Sequence, residues 1–595
     1  MINSHTEIGE IVNVNGNIIS VQLLDSLKSN MPVIDGIVYR IGQIGSFLKI
    51  PLGYANLFGI VTQVGAGAIP DSLKEAILKE GYDKLISKQW ISMVLIGEQV
   101  GLKFDRGVSQ SPTTGDMVHL VTIRDMEIIY GGFNDENSIT IGNISATDSL
   151  NAKLDLNKLI SRHCAILGST GSGKSNAVVV LLNAITKKGF KSCRILVVDP
   201  HGEYNTALKE MSSVYRINAN SAAGEKELYI PFWALPFNEL LSIFSANLSD
   251  VNQDYIRAII VDEKVASAEN NGLDVEKEIV SADSPIPFSL NKVWFELDDF
   301  ERKTYKKDRV TECLIKKGSP ENLKSSEYES VGMGSAEPFQ NNSRKGILGF
   351  LDNLRVRMID SRYKFLFEPG PYMPDKGGRT PKDLNNLLLE WLSGAKPITI
   401  LDLSGVPSEI SSSISGTLLK IIYDSLFWGQ NLPVGGKEQP ILIVLEEAHT
   451  YLKAGEDSVS SRTVQTIAKE GRKYGVGLLL VTQRPSELDE TVLSQCGTII
   501  ALRMNNTNDR GHIKAAIQDE LQTIIDLLPS LRTGEAIVSG EGVKIPSRIK
   551  LFKASNMPKS QDPLAAEKWK QEKQYVSEEY AKLLRLWRNQ KLKED

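Results

Sequence analysis

The stretch Cys164-Ala165-Ile166-Leu167-Gly168-Ser169-Thr170-Gly171-Ser172-Gly173-Lys174-Ser175 decides the fold. Four apolar residues run into G-x-x-x-x-G-K-[ST] at 168–175, and 176–188 then reads as a helix. An apolar strand, a glycine-rich turn and a helix in that order form a phosphate-binding loop. The glycines let consecutive backbone N–H groups turn inward at the positive end of the helix. Gly168, Ser169, Thr170, Gly171, Ser172, Gly173 and Asn176 are the candidate nucleotide contacts. Lys174 would bridge the β- and γ-phosphates, and Ser175 would hold Mg²⁺. The expected cofactors are ATP and Mg²⁺.

The second half of such a site is a buried strand that ends in carboxylates. The apolar run 441–445 is followed by Glu446-Glu447-Ala448-His449. Glu446 would orient the Mg²⁺ water shell, and Glu447 would polarise the attacking water. The metal-side residue is more often Asp, and here it is Glu. The run 477–481 leads into Thr482-Gln483-Arg484-Pro485. Gln483 reads either as a γ-phosphate sensor or as part of a strand-end turn before Pro485. Arg472, in Glu470-Gly471-Arg472-Lys473, reads either as a solvated surface residue or as a group reaching a neighbouring subunit's nucleotide. The apolar run 195–198 ends in Asp199-Pro200-His201-Gly202-Glu203-Tyr204. Open α/β sheets place function at such a strand end, and a capping turn is the alternative. His201 has no His or Cys at metal-ligand spacing.

The composition bounds the protein class. The chain has 595 residues, 41% hydrophobic and 24% charged, which excludes global disorder. Lys+Arg is 68 against Asp+Glu 73, a net charge of -5, which excludes a basic wrapping protein. A basic channel inside an acidic shell is compatible with that balance. Cys164, Cys193, Cys313 and Cys496 form no CxxC pair, so neither a disulfide framework nor a zinc ribbon is expected. The first residues lack a basic stretch followed by an apolar one, and no apolar run approaches a membrane span. The expectation is a cytoplasmic protein with no membrane contact.

Five segments are expected. Residues 1–145 carry short alternating runs at 11–14, 18–23, 58–61, 90–95 and 117–121, with a hairpin signal at Asn15-Gly16, and read as a small β-barrel domain. Residues 1–150 hold 10 Lys+Arg against 16 Asp+Glu, which argues against the barrel as the main phosphate-backbone binder. Residues 146–234 read as the first part of an α/β ATPase core and 391–555 as the second, because apolar strands alternate there with helices. Between them, 235–390 reads as a helical insertion, with helices at 237–244, 254–265, 290–309 and 346–363 and loops at 266–287 and 316–343. Residues 556–595 form a helical tail carrying Trp569, Tyr575, Tyr580, Leu583 and Trp587. Its aromatics must pack on something, either the chain's own core or an adjacent subunit.

Five segments taken together resemble one family: SRHCAILGSTGSGKSN (161–176), VVDPHGEY (197–204), IVLEEAH (443–449), EGRKYGVGLLLVTQRPSELD (470–489) and TGEAIVSGEGVKIPSR (533–548). They are similar to HerA, the hexameric DNA-translocating ATPases of the HerA–FtsK group with a RecA-like P-loop core. The resemblance is closest over 155–204 and 395–550, looser over the barrel, which is HAS-barrel-like, and least over the insertion and tail. It implies that Glu447 is the catalytic glutamate and Gln483 the sensor. It also implies that Arg472 is an arginine finger acting in trans and that Arg162 is a second arginine at the subunit interface. The implied partners are five further copies, double-stranded DNA, and a nuclease of the NurA type or a sirtuin-like NAD-consuming effector. Such enzymes serve in double-strand break repair or anti-phage defence. Two other readings stay open. One is an ATP-regulated platform that recruits and activates a partner enzyme. The other is a conjugation or protein-transport ATPase, which often carries membrane segments.

Overall fold

The computed structural model describes residues 6–24, 32–34, 37–39, 41–66, 89–145, 149–244, 248–334, 336–455, 458–517, 522–558, 565–570 and 576–588. The alternating runs of the first segment close on themselves. Strands β1 (Glu7–Asn15), β2 (Ile18–Leu23), β3 (Phe47–Leu52), β4 (Ala55–Ala66), β5 (Gln89–Val100), β6 (Lys103–Arg106) and β7 (Met117–Leu120) are all paired antiparallel. The order β2–β1–β7–β3–β4–β5 returns to β2, which makes a six-stranded closed barrel with β6 added beyond β5. Closure leaves no unpaired strand edge in that ring. Its interior is filled by Ile11, Val21, Ile50, Leu57, Met93 and Val118. The first hairpin pairs Asn15 with Ile18, so its two-residue turn is Gly16-Asn17, one residue later than the sequence suggests. Gly16 takes φ +61° there.

Twelve further strands build one sheet. In chain order they are β8 (Ser138–Ile144), β9 (Asn151–Asp155), β10 (Cys164–Leu167), β11 (Ile195–Asp199), β12 (Ser212–Arg216), β13 (Lys226–Glu227), β14 (Ile398–Asp402), β15 (Ile441–Leu445), β16 (Val476–Thr482), β17 (Thr498–Leu502), β18 (Glu535–Gly540) and β19 (Ser547–Leu551). Their spatial order is β9–β8–β19–β18–β17–β10–β16–β15–β11–β14–β12–β13. From β17 to β13 every pairing is parallel, and from β18 to β9 every pairing is antiparallel. Strands β10, β11, β14, β15, β16 and β17 are buried along their whole length, as expected of parallel strands covered on both faces. β8 precedes residue 145 yet belongs to this sheet and not to the barrel.

The barrel leans on the sheet through Phe58, Val94 and Phe104, which join the main core. Arg106 at the end of β6 fixes the contact. Its Nε donates to the Lys544 carbonyl at 2.8 Å, and its Nη2 donates to the carbonyls of Gly540 and Val543.

Helix α1 (Lys174–Thr186) follows the glycine-rich turn. The insertion holds α2 (Asp250–Asn271), α3 (Leu290–Arg302) and α4 (Leu348–Ile359). α2 is longer than its apolar spacing suggests. Ser249 caps its first turn, and the chain leaves it only at Gly272, φ +61°. α3 is shorter than expected and stops at Arg302, where Thr304-Tyr305 pairs with Phe339-Gln340. The stretch read as a loop at 316–343 holds that second strand and a Leu314–Lys316/Glu327–Tyr328 ladder.

Beyond the sheet lie α5 (Val459–Glu470), which leads toward β16, and the tail helix α6 (Ser577–Arg588). Nothing in α6 is buried: Leu583 is 53% exposed and Trp587 73%. The tail helix therefore adds no residue to the buried core of the described residues. Tyr575 lies outside the described residues. Among those residues, no helix is long and apolar enough to cross a membrane.

Candidate active site at the carboxyl edge of the sheet

Parallel pairing brings five chemical segments to one edge. Leu167 is level with Thr482 on one side and Ala501 on the other, Leu445 is level with Leu480 and Val198, and Asp199 is level with Asp402. The turn after β10 therefore lies beside the ends of β16 and β17, with the Glu446-Glu447 pair two strands away.

The turn itself is wrapped by its neighbours. Gly168 N–H donates to Thr482 O at 3.2 Å, Ser169 N–H to Arg503 O at 3.1 Å, and Gly534 N–H to Ser172 O at 3.0 Å. Gly168 has no room for a side chain, since a Cβ would lie 2.6 Å from Ser172 Oγ and 2.9 Å from Leu502 Cβ. Gly173 takes φ +103°, and no side chain caps the first turn of α1. Its leading N–H groups face the loop concavity, the arrangement that binds phosphate. Ser172 Oγ is buried with no hydrogen bond among the described residues.

Lys174 opens α1 and points at the carboxylates. Its Nζ donates to Glu447 Oε1 at 2.9 Å and lies 3.2 Å from Glu446 Oε1. All three side chains are nearly out of solvent: Lys174 is 8% exposed, Glu446 1% and Glu447 7%. Burial pulls the ammonium pKa down, but the two carboxylates outweigh it and hold it above its ordinary value. Burial pushes Glu446 up to about 7, against the opposing pull of Lys174 and of the hydrogen bond from Tyr204. Glu447 sits in the left-handed region, φ +48°, which turns it off the strand line and toward the P-loop lysine. Its Oε2 faces His449 Nδ1 at 3.3 Å and makes no hydrogen bond. Burial lowers the His449 pKa, and its Nδ1 also lies 3.0 Å from Thr482 Oγ1.

The turn after β11 supports this pair from the other side. Asp199 is fully buried and accepts from the backbone N–H groups of His201, Gly202 and Tyr204 at 3.1, 2.8 and 3.1 Å. Burial raises it to about 6. The turn presents Tyr204 OH to Glu446 Oε2 at 2.6 Å, and Glu203 Oε2 accepts from Ser175 Oγ at 3.0 Å. His201 is exposed.

Gln483 leaves the end of β16, where its Oε1 accepts from Thr170 Oγ1 at 2.6 Å. Asn176 is committed elsewhere. Its amide donates to Phe552 O and accepts from Ala554 N–H, both at 2.9 Å, which ties α1 to the chain leaving β19. Arg472 and Arg162 are not at this edge. Arg472 precedes β16 and Arg162 precedes β10, so both lie at the opposite end of parallel strands. The seven residues of β16 separate Arg472 from Gln483 by about 20 Å. Arg472 is exposed with no side-chain partner among the described residues, whereas Arg162 lies 3.6 Å from Glu541. One further residue escaped the sequence reading. Arg503 follows β17, next to the P-loop turn, half-buried and with no side-chain partner among the described residues. Only the strand order reveals it.

A phosphate cradle, a buried lysine, a carboxylate pair and a polar strand tip, all at one edge of a parallel sheet, define a RecA-like P-loop ATPase. Residues 139–422 match the family described as helicase HerA, central domain, and 390–581 match the helicase HerA-like C-terminal domain. The chain belongs to the HerA helicase family. It is similar to a probable helicase of Methanocaldococcus jannaschii, 28% identical over 433 residues, covering 72% of this chain and 73% of that one. It is also similar to the DNA double-strand break repair helicase HerA of Sulfurisphaera tokodaii, 27% identical over 547 residues and covering 91% and 94%. The protein of that name from Pyrococcus furiosus is 26% identical over 463 residues, covering 74% and 73%.

Proposed function

We propose that this ATPase moves double-stranded DNA through a ring of six copies and hydrolyses MgATP at the borders between them. The observation that carries the reading is the placement of Arg472. It is exposed, without a partner among the described residues, and a strand's length from its own P-loop. Such a group serves a nucleotide only when a second copy brings one to it.

In this reading the loop N–H groups that are not already given to Thr482, Arg503 and Ser169 carbonyls, together with the Lys174 ammonium, take the phosphates. Glu447 accepts a proton from the attacking water with its unpaired Oε2, and Gln483 reports the γ-phosphate. Arg472 stabilises charge on the neighbour's phosphates, and Arg162, at the same end of the sheet, adds a second cation at that border. The donor set suits Mg²⁺, because Ser175 Oγ and Glu446 are hard oxygen ligands and Glu447 Oε2 is buried without a bond. Among the described residues no three His, Cys, Asp or Glu side chains form a metal cluster of their own, so nucleotide phosphates and waters would complete the shell. The ion, when bound, supplies neutralisation of phosphate charge. The Asn176 side chain acts here by bracing α1, which leaves its backbone as the part that would meet the nucleotide.

The relatives named as DNA double-strand break repair helicases support DNA as the substrate. A partner nuclease of the NurA type or a sirtuin-like effector would dock on the acidic barrel, whose surplus of carboxylates disfavours the DNA backbone. The same surplus favours the second reading, an ATP-regulated platform, which DNA-independent hydrolysis would reveal. The loop at 453–462, part of which lies outside the described residues, is a candidate DNA contact. Mixing two inactive proteins, Arg472→Ala and Glu447→Gln, tests the ring. Some borders would then carry both intact groups, and ATPase should reappear above the additive line. Strictly additive activity would sink the trans role.

A further inference from the structure

The Asp199–Tyr204 turn touches both candidate magnesium ligands and belongs to neither the P-loop nor the carboxylate strand. Ser175 Oγ donates its proton to Glu203 Oε2 at 3.0 Å, and Tyr204 OH donates to Glu446 Oε2 at 2.6 Å. Neighbouring residues of one turn thus bind the two groups on which a metal would depend.

We propose that Glu203 is a positioning residue for the metal, a role that rests on the MgATP reading above. A hydroxyl oxygen that gives a lone pair to Mg²⁺ must point its proton away from the cation, and that proton then needs an acceptor. Glu203 already accepts it. The carboxylate thereby turns the Ser175 oxygen outward to the ion and adds a negative charge close to it. Tyr204 does the complementary job for Glu446, occupying Oε2 and leaving Oε1 on the Lys174 side, 3.2 Å from Nζ.

The turn is built to hold these positions. The Asp199 carboxylate gathers three of its backbone N–H groups. Gly202 takes φ +68°, and a Cβ there would sit 3.0 Å from Asp402 Oδ2, so only glycine lets the chain turn this tightly against Asp402. Charge points the same way. Glu446 and Glu447 share a single ammonium, Lys174, and Glu447, which is 7% exposed, keeps Oε2 without a hydrogen bond. Two buried carboxylates on one ammonium, with a buried oxygen unsatisfied, leave room for a further cation.

The test separates metal from nucleotide. Mn²⁺ replaces Mg²⁺, and its dissociation constant from the ADP-saturated full-length protein is read by the paramagnetic resonance of free Mn²⁺. ADP affinity is measured separately in EDTA with a fluorescent analogue. Loss of a group that orients a metal ligand weakens metal binding by about 10–100-fold. Glu203→Ala should therefore raise the Mn²⁺ constant at least about tenfold. Its ADP affinity in EDTA should stay at the wild-type value. Glu203→Gln keeps a carbonyl acceptor but loses the charge, and should fall between alanine and wild type. An unchanged Mn²⁺ constant in Glu203→Ala overturns the proposal. So does an equal loss of ADP affinity in EDTA, which would mean the turn only supports the fold. Should the alanine protein not fold, Glu203→Gln decides alone, and a wild-type Mn²⁺ constant in it overturns the proposal. Failure of the wild-type protein to bind ADP with or without metal would instead refute the MgATP reading.

Discussion

Replacing Lys174 with methionine in the nucleotide-free protein keeps the buried stem and removes only the charge. Among the described residues the ammonium is the one cation bonded to Glu446 and Glu447, which are 1% and 7% exposed. Breaking a buried pair by removing one partner costs about 3–5 kcal/mol. At about 2 °C per kcal/mol for a large domain, the melting temperature should fall by about 6–10 °C at pH 8. The loss should shrink at pH 6. Glu446 titrates near 7 in the folded protein against an ordinary 4.5, so the folded state binds the extra proton between those values. Charging Glu446 therefore costs stability as pH rises through that window, about 3 kcal/mol in all. Without Lys174 its pKa rises further. At pH 6 it is then protonated and only Glu447 lacks a cation, while at pH 8 the full cost is felt. Scanning calorimetry of both proteins at the two pH values measures this, and Glu447→Gln in the methionine background should recover part of the loss. Equal drops at both pH values, or a larger drop at pH 6, would refute the charge argument.

Glu447→Gln should bind nucleotide with near wild-type affinity and lose about 10²–10⁴-fold in turnover; equilibrium binding and steady-state hydrolysis check this. Arg106→Ala removes the donors that fix β6 to the carbonyls of Gly540, Val543 and Lys544. Hydrogen exchange along β6 and 540–544 should quicken about tenfold while the barrel interior stays protected. DNA affinity should fall along a straight line in log salt and be indifferent to base sequence; a salt-independent affinity would speak against phosphate contacts. Removing the chain after Met557 should lower the hexamer fraction by light scattering and leave circular dichroism per residue close to wild type. No residue of α6 is buried, so the monomer's core does not depend on it.

The strand, turn and helix of the P-loop were legible because each is a local signal: four apolar residues, glycines at fixed offsets, then a helix former. The carboxylate pair was legible because Ile441–Leu445 is a buried run that ends abruptly in acids. What the sequence hid was adjacency. Nothing near Arg503 says that β17 borders β10, since that neighbour lies more than 300 residues upstream. Strand β8 alternates like the barrel strands before it, and only its pairing with β19 places it in the other sheet. Asn176 read as a nucleotide contact because of its place after Ser175, yet its amide is drawn away by the backbone at Phe552 and Ala554. Ser249 and Gly272, which set the length of α2, are capping signals that polar surroundings masked.

Strand β16 is buried along its whole length and carries Gln483 at one end and the Arg472 turn before the other. A strand so enclosed does not absorb a displacement; close packing hands it on. In the proposed ring, a shift felt by Gln483 when one nucleotide loses its terminal phosphate arrives at the next nucleotide as a shift of Arg472. Each copy is then a relay whose input and output are fixed by a single length of backbone.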